Sequence, residues 1–475
     1  MSRLDAVVVG AGPNGLAAAV TLARAGLSVH VIEAAETIGG GARTAELTLP
    51  GFRHDVCSAV HPLGILSPFF RELDLGIPWI DPPAALAHPF DDGHAALLFR
   101  DLDRTAARFG ESAPEDEAMW RAMFEPYLDD PHGFFAEVLA PIRVPRSPLR
   151  MARFGMTALM PATWAATRWF RGDARALFAS CAAHAILPLD HYGTASFGMV
   201  LGLAAHAAGW PIAPGGSDAI VNALVRILKE HGVTFETGRR VRSLADVPDS
   251  RAVLLDVMPR HLADIAGDAL PARYKAALRR FRHGPGIFKI DWALDGPIPW
   301  TSPDCRLAAT VHVGGRYEEI VASEAGLESG RHAEKPFVLV AQQSLFDASR
   351  APAGKHTGWA YCHVPNGSTV DMTAAIEQQI ERFAPGFRDL VLARKTWSTA
   401  DVEAYNASYV GGDIGGGANA LLQVLARPVV RWNGYTTPNP RLFLCSSATP
   451  PGGGVHGMCG WSAAKAVLRA LGQAA

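Results

Sequence analysis

The chain has 475 residues, 49% hydrophobic and 19% charged, with 47 Gly and 34 Pro. That composition supplies ample apolar mass for a core, excludes wholesale disorder, and at roughly 150 residues per domain predicts about three units or two large ones. A formal net charge of −2 gives no global basic field for nucleic acid. The six cysteines show no CxxC spacing, which excludes a thioredoxin-type dithiol and a cysteine-based zinc site, so no metal is expected, and suits a reducing cytoplasm.

Arg3 and Asp5 flank a very short apolar run that ends in glycines rather than at a cleavage site, so no signal peptide is expected. Leu4–Val9 is β-branched and reads as a buried parallel strand. It runs into Gly10-Ala11-Gly12-Pro13-Asn14-Gly15, a GxGxxG, then a helix over Leu16–Ala25 stopped by Gly26, then a second strand, Ser28–Ile32, ended by Glu33. Gly10 permits the tight turn, Gly12 lets the backbone approach a pyrophosphate, and Gly15 allows close helix–strand packing. The helix N-terminus offers free N–H groups and partial positive charge to phosphates. Glu33, 18 residues after Gly15, suits a ribose diol. A second GxGxxG at Gly452–Gly457 is cut off from its strand by Ser446–Pro451, so the strand-to-helix context fails there. Next come Gly39-Gly40-Gly41-Ala42-Arg43-Thr44, a second loop suited to cover a pyrophosphate with Arg43 as countercharge.

This composite resembles the FAD-binding start of the amine oxidase and phytoene desaturase superfamily. The resemblance implies an α/β fold: a discontinuous Rossmann-type FAD-binding domain from about 1–75, 211–285 and 400–475, with an inserted mixed α+β substrate domain from 76–210 and 286–399. It implies FAD as cofactor, held by Gly10, Gly12, Pro13, Asn14, Gly15, Glu33, Gly40, Gly41 and Arg43, and it puts Ala59, Val60 and His61 beside the isoalloxazine.

Arg143–Arg175 holds seven arginines against one acid, Asp173, with Phe154, Met156, Met160, Trp164, Trp169 and Phe170 among them. That pattern fits either an interfacial segment on an anionic membrane or a lid or subunit contact. Tyr192–Ser217 is charge-free but broken by glycines and prolines, and reads as a buried helix plus turn rather than a span. Pro211–Ser217 leads into a helix with Ile220, Leu224, Ile227 and Leu228 on one face, ended by Gly232 before a strand from Val233. Arg240–Leu244 is similar to the family strand whose central residue, here Val241, meets adenine through its backbone. Ala252–Val257 is another buried strand, and the short link before it lacks a hairpin common in the superfamily.

The middle of the chain sharpens the resemblance, through Thr310–Gly315, Asp347–His356, Trp359–Pro365 and Glu403–Asn406, toward the branch that includes pyridine nucleotide-disulphide oxidoreductase domain-containing protein 2. Arg441–Cys445 is read as a strand, followed by a Gly-rich loop and a helix through Leu468. This resembles the closing flavin motif, with Ser447, Gly454, Val455, His456 and Met458 against the cofactor. Ser447 stands where many members carry an acid. The helix start near Val455–Met458 aims N–H groups at the flavin edge.

Candidate catalytic groups are His456, which either moves a proton or fixes its loop; His61, which is either active or a structural turn; and Asp413, flanked by Gly411, Gly412, Gly415, Gly416 and Gly417, either a base or a loop acid. The resemblance implies hydride removal from C–H bonds of an apolar or amphiphilic, carotenoid- or lipid-like substrate. Without a second strand-linked GxGxxG, oxygen or a quinone is the expected electron acceptor. A redox-neutral flavin-dependent isomerase and a non-catalytic flavin-stabilised interaction protein remain as alternatives.

Overall fold

The structure, a computed structural model, describes residues 3–473. Its strands in chain order are β1 (Leu4–Val9), β2 (Val29–Ile32), β3 (Thr44–Glu46), β4 (Arg53–Asp55), β5 (Leu86–Pro89), β6 (Ala95–Leu98), β7 (Thr234–Glu236), β8 (Ser250–Leu255), β9 (Gly286–Leu294), β10 (Thr310–Val313), β11 (Val338–Ala341), β12 (His356–Val364), β13 (Val391–Trp397) and β14 (Leu442–Leu444). They form a five-stranded sheet, β14-β8-β1-β2-β7, a seven-stranded sheet, β13-β9-β12-β11-β10-β5-β6, and the β3-β4 hairpin. The fold is the α/β arrangement expected.

Every pairing in the five-stranded sheet is parallel. Parallel strands are covered on both faces, which is why they read as unbroken apolar runs. Ala6 and Val8 face one core with Leu16 and Val20 of the helix Pro13–Arg24. Val7 and Val9 face another with Leu262, Ile265 and Leu278. The seven-stranded sheet is antiparallel apart from the β10–β5 pair. Val311, Val338, Val340, Ala360 and Cys362 point into its own apolar core. The alternate residues, Leu339, Ala341, Trp359 and Tyr361, turn the opposite way and line a cavity.

Two local expectations change. The first helix starts at Pro13, three residues early, because proline at the first helical position loses no hydrogen bond. Arg240–Leu244 is not a strand. The Asp246 carboxylate accepts the Arg242 and Ser243 N–H groups and curls Leu244–Asp246 into a 3₁₀ turn. Tyr192–Ser217 does form a helix, Ala195–Ala208, followed by a turn. Among the described residues no helix is long and apolar enough to cross a membrane.

Candidate functional site

One cavity of about 1170 Å³ runs from the N-terminal glycines to the seven-stranded sheet. That exceeds the ~300–1,000 Å³ of most small-molecule sites. Gly10, Gly12, Pro13, Asn14, Glu33, Gly40, Gly41, Arg43, Ala59, Val60, Val241, Ser447, Gly454, Val455 and His456 all line it. Gly15 and Met458 do not. Gly15 lies beneath the turn, where a Cβ would overlap the Gly10 carbonyl oxygen. Val241 is buried in extended coil between β7 and β8.

The Gly-rich loops are built for close approach. A Cβ on Gly40, which has φ +53°, would lie 2.9 Å from the Gly12 Cα. Glu33 is oriented by backbone: Oε2 accepts the Ala11 N–H at 2.7 Å and Oε1 the Ala35 N–H at 2.8 Å. The Arg43 guanidinium stands 3.6 Å from it and 5.2 Å from the Tyr405 ring centre. Each Glu33 oxygen keeps a lone pair for a ribose hydroxyl. Asn14 Oδ1 and Arg43 Nε are buried without a hydrogen-bond partner. Buried polar atoms in proteins are nearly always satisfied, so these two fit a polar ligand over the loops. The donors, the oriented acid and the Cβ-free cradle suit FAD.

Two groups at this end, Tyr409 and Asp256, escape the sequence reading, while Tyr405 belongs to the Glu403–Asn406 motif and makes a hydrogen bond here. Tyr405 donates its hydroxyl to the Gly40 carbonyl at 2.8 Å, and the Tyr409 hydroxyl occupies the space a Cβ on Gly41 would need. Asp256, just after β8, accepts the Gly15 N–H at 2.9 Å. It thereby takes one of the helix N-terminal donors that phosphates use. Burial, with Glu33 nearby, pushes its carboxyl up to about 7 against the pull of that N–H.

At the C-terminal loop Arg427 is buried, lines the cavity, and donates to the Ser447 carbonyl at 3.2 Å and to Asn419 Oδ1 at 3.1 Å. Its Nε has no partner, and burial lowers its pKa. A lone arginine 20 residues before Ser447 carries no motif, so sequence alone could not flag it.

The three catalytic candidates differ in placement. His456 lines the cavity, but its Nδ1 accepts the Met458 N–H at 3.1 Å, so the ring proton sits on Nε2. Burial pulls this imidazole down to about 4, with the Gly453 and Gly452 carbonyls opposing. That geometry fixes the turn into the helix Met458–Ala470.

His61 does not reach the cavity, which corrects the expectation for it. Its Nε2 meets the Ser217 hydroxyl at 2.9 Å, and that hydroxyl donates to the Ser58 carbonyl at 2.5 Å. Burial holds the ring down to about 4. Asp413 is corrected too. Its carboxylate accepts the N–H groups of Gly284, Gly415 and Gly417, at 2.9, 2.8 and 2.9 Å. A Gly-rich loop leaves backbone donors that need an acceptor, and Asp413 supplies it away from the cavity.

The other end of the cavity is mostly apolar, with Phe154, Phe197, Leu201, Trp210, Leu339 and Trp359 in its walls. Its polar members include His184, whose Nε2 meets His312 Nε2 at 3.1 Å, and Tyr361. Burial and the nearby His363 take His184 down to about 3, so it is neutral.

Replacing Glu33 by Ala is expected to weaken FAD binding by ~1.5–3 kcal/mol, roughly tenfold to a hundredfold, since a charged, oriented acceptor is lost. Titration of the apoprotein with FAD, followed by flavin fluorescence, measures it. Unchanged affinity would remove Glu33 from the ribose site.

Residues 8–73 match the family model of the NAD(P)-binding Rossmann-like domain. The chain is 26% identical to pyridine nucleotide-disulfide oxidoreductase domain-containing protein 2 of Rattus norvegicus, over 98% of this chain and 94% of that protein. It is 23% identical to the neurosporene-forming phytoene desaturase of Rhodobacter capsulatus, over 96% of this chain and 92% of that protein. A solved structure of a putrescine oxidase variant shares the fold, with TM-score 0.60, 17% identity and 98% of each chain covered. With the nucleotide cradle assembled as described, the chain is similar over nearly its whole length to oxidoreductases of the amine oxidase and phytoene desaturase type, and its cradle is one that FAD fits.

Proposed function

We propose that the protein removes hydrogen from a C–H bond of an apolar or amphiphilic substrate, in the manner of a desaturase or dehydrogenase. One observation carries this reading: the nucleotide cradle and a largely apolar chamber are a single cavity. FAD, when bound, supplies the hydride acceptor. Gly12, Gly40, Glu33 and Arg43 hold and orient the cofactor.

Leu339, Ala341 and Trp359, on alternate positions of β11 and β12, wall the substrate chamber and exclude water. Phe197, Val200 and Leu201 of the helix Ala195–Ala208 close the other side. His184, neutral and fixed by His312, offers a hydrogen bond to any polar group the substrate carries. Such a chamber favours a long hydrocarbon body over a small charged metabolite. For a product lighter by two hydrogens, the second hydrogen would leave as a proton, and oxygen or a quinone would take the two electrons.

The test begins with mass spectrometry of small molecules that copurify with the yellow holoprotein. Turnover of the captured compound follows, with the product weighed. A product lighter by two hydrogens supports dehydrogenation. An unchanged mass assigns an isomerase, and no turnover of any bound apolar compound leaves a flavin-stabilised binding protein. Capture of only small charged metabolites would overturn the apolar chamber as the substrate site.

A further inference from the structure

The large exposed side chains that line the cavity fall at its two ends. Arg240, Arg242 and Asp264 stand at the nucleotide end. At the substrate end stand Ile142, Leu159 and Leu425, with Arg143 among them.

The substrate end is unusual in what surrounds it. The helix Pro148–Ala158 buries Phe154, Thr157 and Ala158 toward the protein. Its outward stripe should therefore be polar, as on any surface helix. Instead Leu149, Ala152, Arg153 and Met156 face outward, at helical spacing, continued by Leu159. Leu149 is 88% exposed, Met156 66% and Ile142 68%.

A second segment, remote in sequence, adds to the same rim. The Leu159 carbonyl accepts the Gly193 N–H at 2.9 Å, and a Cβ on Gly193 would lie 3.4 Å from Leu421 Cδ1. Leu421 opens the short helix Leu421–Leu425, on which Leu422 is 79% exposed. Tyr192, beside Gly193, is exposed as well.

Charge selects the occupant. Arg143 is paired with Glu137, Arg150 with Asp130, and Arg175 with Glu318, while Asp173 is held by His94. Arg146, Arg153, Arg168 and Arg171 have no ion-pair partner among the described residues and are exposed. Arg153 lies between Leu149 and Met156 on the outward stripe, and Arg168 one turn from the exposed Trp164. A second copy docked on this face by two-fold symmetry would bring an equal set of unpaired arginines to the same contact. An anionic bilayer satisfies both features, taking the apolar side chains into its interface and the guanidinium groups against its phosphates.

We propose that this rim, formed by residues 142–168 and Leu421–Leu425, docks the protein on an anionic lipid surface with the substrate end of the cavity facing the bilayer. An apolar substrate then passes from membrane to chamber without crossing water. The loading role rests on the apolar-substrate reading above. The docking does not, so the two fail separately: vesicle binding can be lost while turnover of a detergent-solubilised substrate persists, and the reverse.

The experiment is cosedimentation of the FAD-loaded protein with vesicles of phosphatidylcholine alone and of phosphatidylcholine with an equal part of phosphatidylglycerol, at low and high salt. Wild type is expected to bind the mixed vesicles and to release at high salt, because the attraction decays over a Debye length of about 8 Å at physiological ionic strength. Arg146→Glu/Arg153→Glu should reduce binding roughly tenfold or more. Leu149→Glu/Met156→Glu should reduce it comparably. All four positions lie outside the cavity lining, so FAD content should equal wild type. If the apolar pair fails to retain FAD, the arginine pair carries the test. Equal binding to both vesicle types, or no binding by wild type at low salt, overturns the proposal. So does a concentration-dependent dimer that the same variants dissociate, since it would assign the face to a second copy.

Discussion

Replacing Arg350 by Met is expected to lower the unfolding free energy by about 3–5 kcal/mol, the loss typical of breaking a buried ion pair from one side. Arg350 is fully buried and reaches three parts of the chain. Its Nη1 donates to Asp55 at 3.0 Å, its Nε to Asp347 at 2.8 Å, and its Nη2 to the Ala213 carbonyl at 3.2 Å. Burial opposes its charge, yet Asp55 and Asp347 hold its pKa above the usual value. Asp55, at the end of β4, also accepts the Ser217 N–H at 2.8 Å and a Gln343 amide at 3.1 Å.

The network therefore ties the hairpin that follows the Gly-rich Arg43 loop to the turn before the helix Asp218–Glu230 and to the segment after β11. With Arg350 gone, two carboxylates are left facing a dry interior. Chemical denaturation of the FAD-free protein, with Asp55→Asn/Arg350→Met as the paired control, measures the effect. The double variant should recover part of the loss, because it removes the stranded charge. A single-variant loss under ~1 kcal/mol, the range of an exposed pair, would show that this network does not hold the parts together.

What the sequence makes legible here is what is local. The strand, glycines, helix and Glu33 lie within about thirty residues, and each carries its own backbone requirement, so their order alone is diagnostic. The partners of that site are not local. Tyr405 meets Gly40, and Asp256 meets Gly15, 365 and 241 residues apart. No periodicity announces either, because an acid after an apolar strand looks like any strand end.

His61 and Asp413 lie outside the cavity lining for a related reason. Residue type suggests chemistry, but direction is decided by the first partner in space. Pro62 starts a short helix at His61, and the ring turns inward toward Trp79 and Ser217. Asp413 folds back on its own glycines. Val241 lines the cavity although its expected strand does not form. The apolar residue is buried either way, while Asp246 decides the backbone around it.

The acid beside the nucleotide turn has a consequence for pH. Asp256 is an ordinary carboxyl in the unfolded chain, with a pKa near 3.8, and is pushed up to about 7 in the folded protein by burial and by Glu33. Cys445 and Cys459, buried beside it, are themselves raised by burial and its charge. Because the folded value is raised, the stabilisation belongs to the protonated form. It is fully present below about pH 4, is lost as pH climbs toward 7, and is absent above that. At 1.36 kcal/mol per pH unit the FAD-free protein should lose on the order of 4 kcal/mol across that window.

Asp256→Asn keeps an acceptor for the Gly15 N–H without the charge. It should leave stability near pH 4 unchanged and raise it near pH 8. FAD brings a dianionic pyrophosphate to the same helix N-terminus, which favours the protonated acid further. Binding should therefore take up a proton, and affinity should fall by up to about tenfold for each pH unit above 7. Fluorescence titration of the apoprotein with FAD across neutral to alkaline pH reads this directly, without turnover. The Asn variant should bind FAD with little pH dependence. The same slope in both proteins would move the titrating group away from Asp256, and a flat profile in wild type would mean that the acid stays charged beside the pyrophosphate, held there by Gly15 N–H alone.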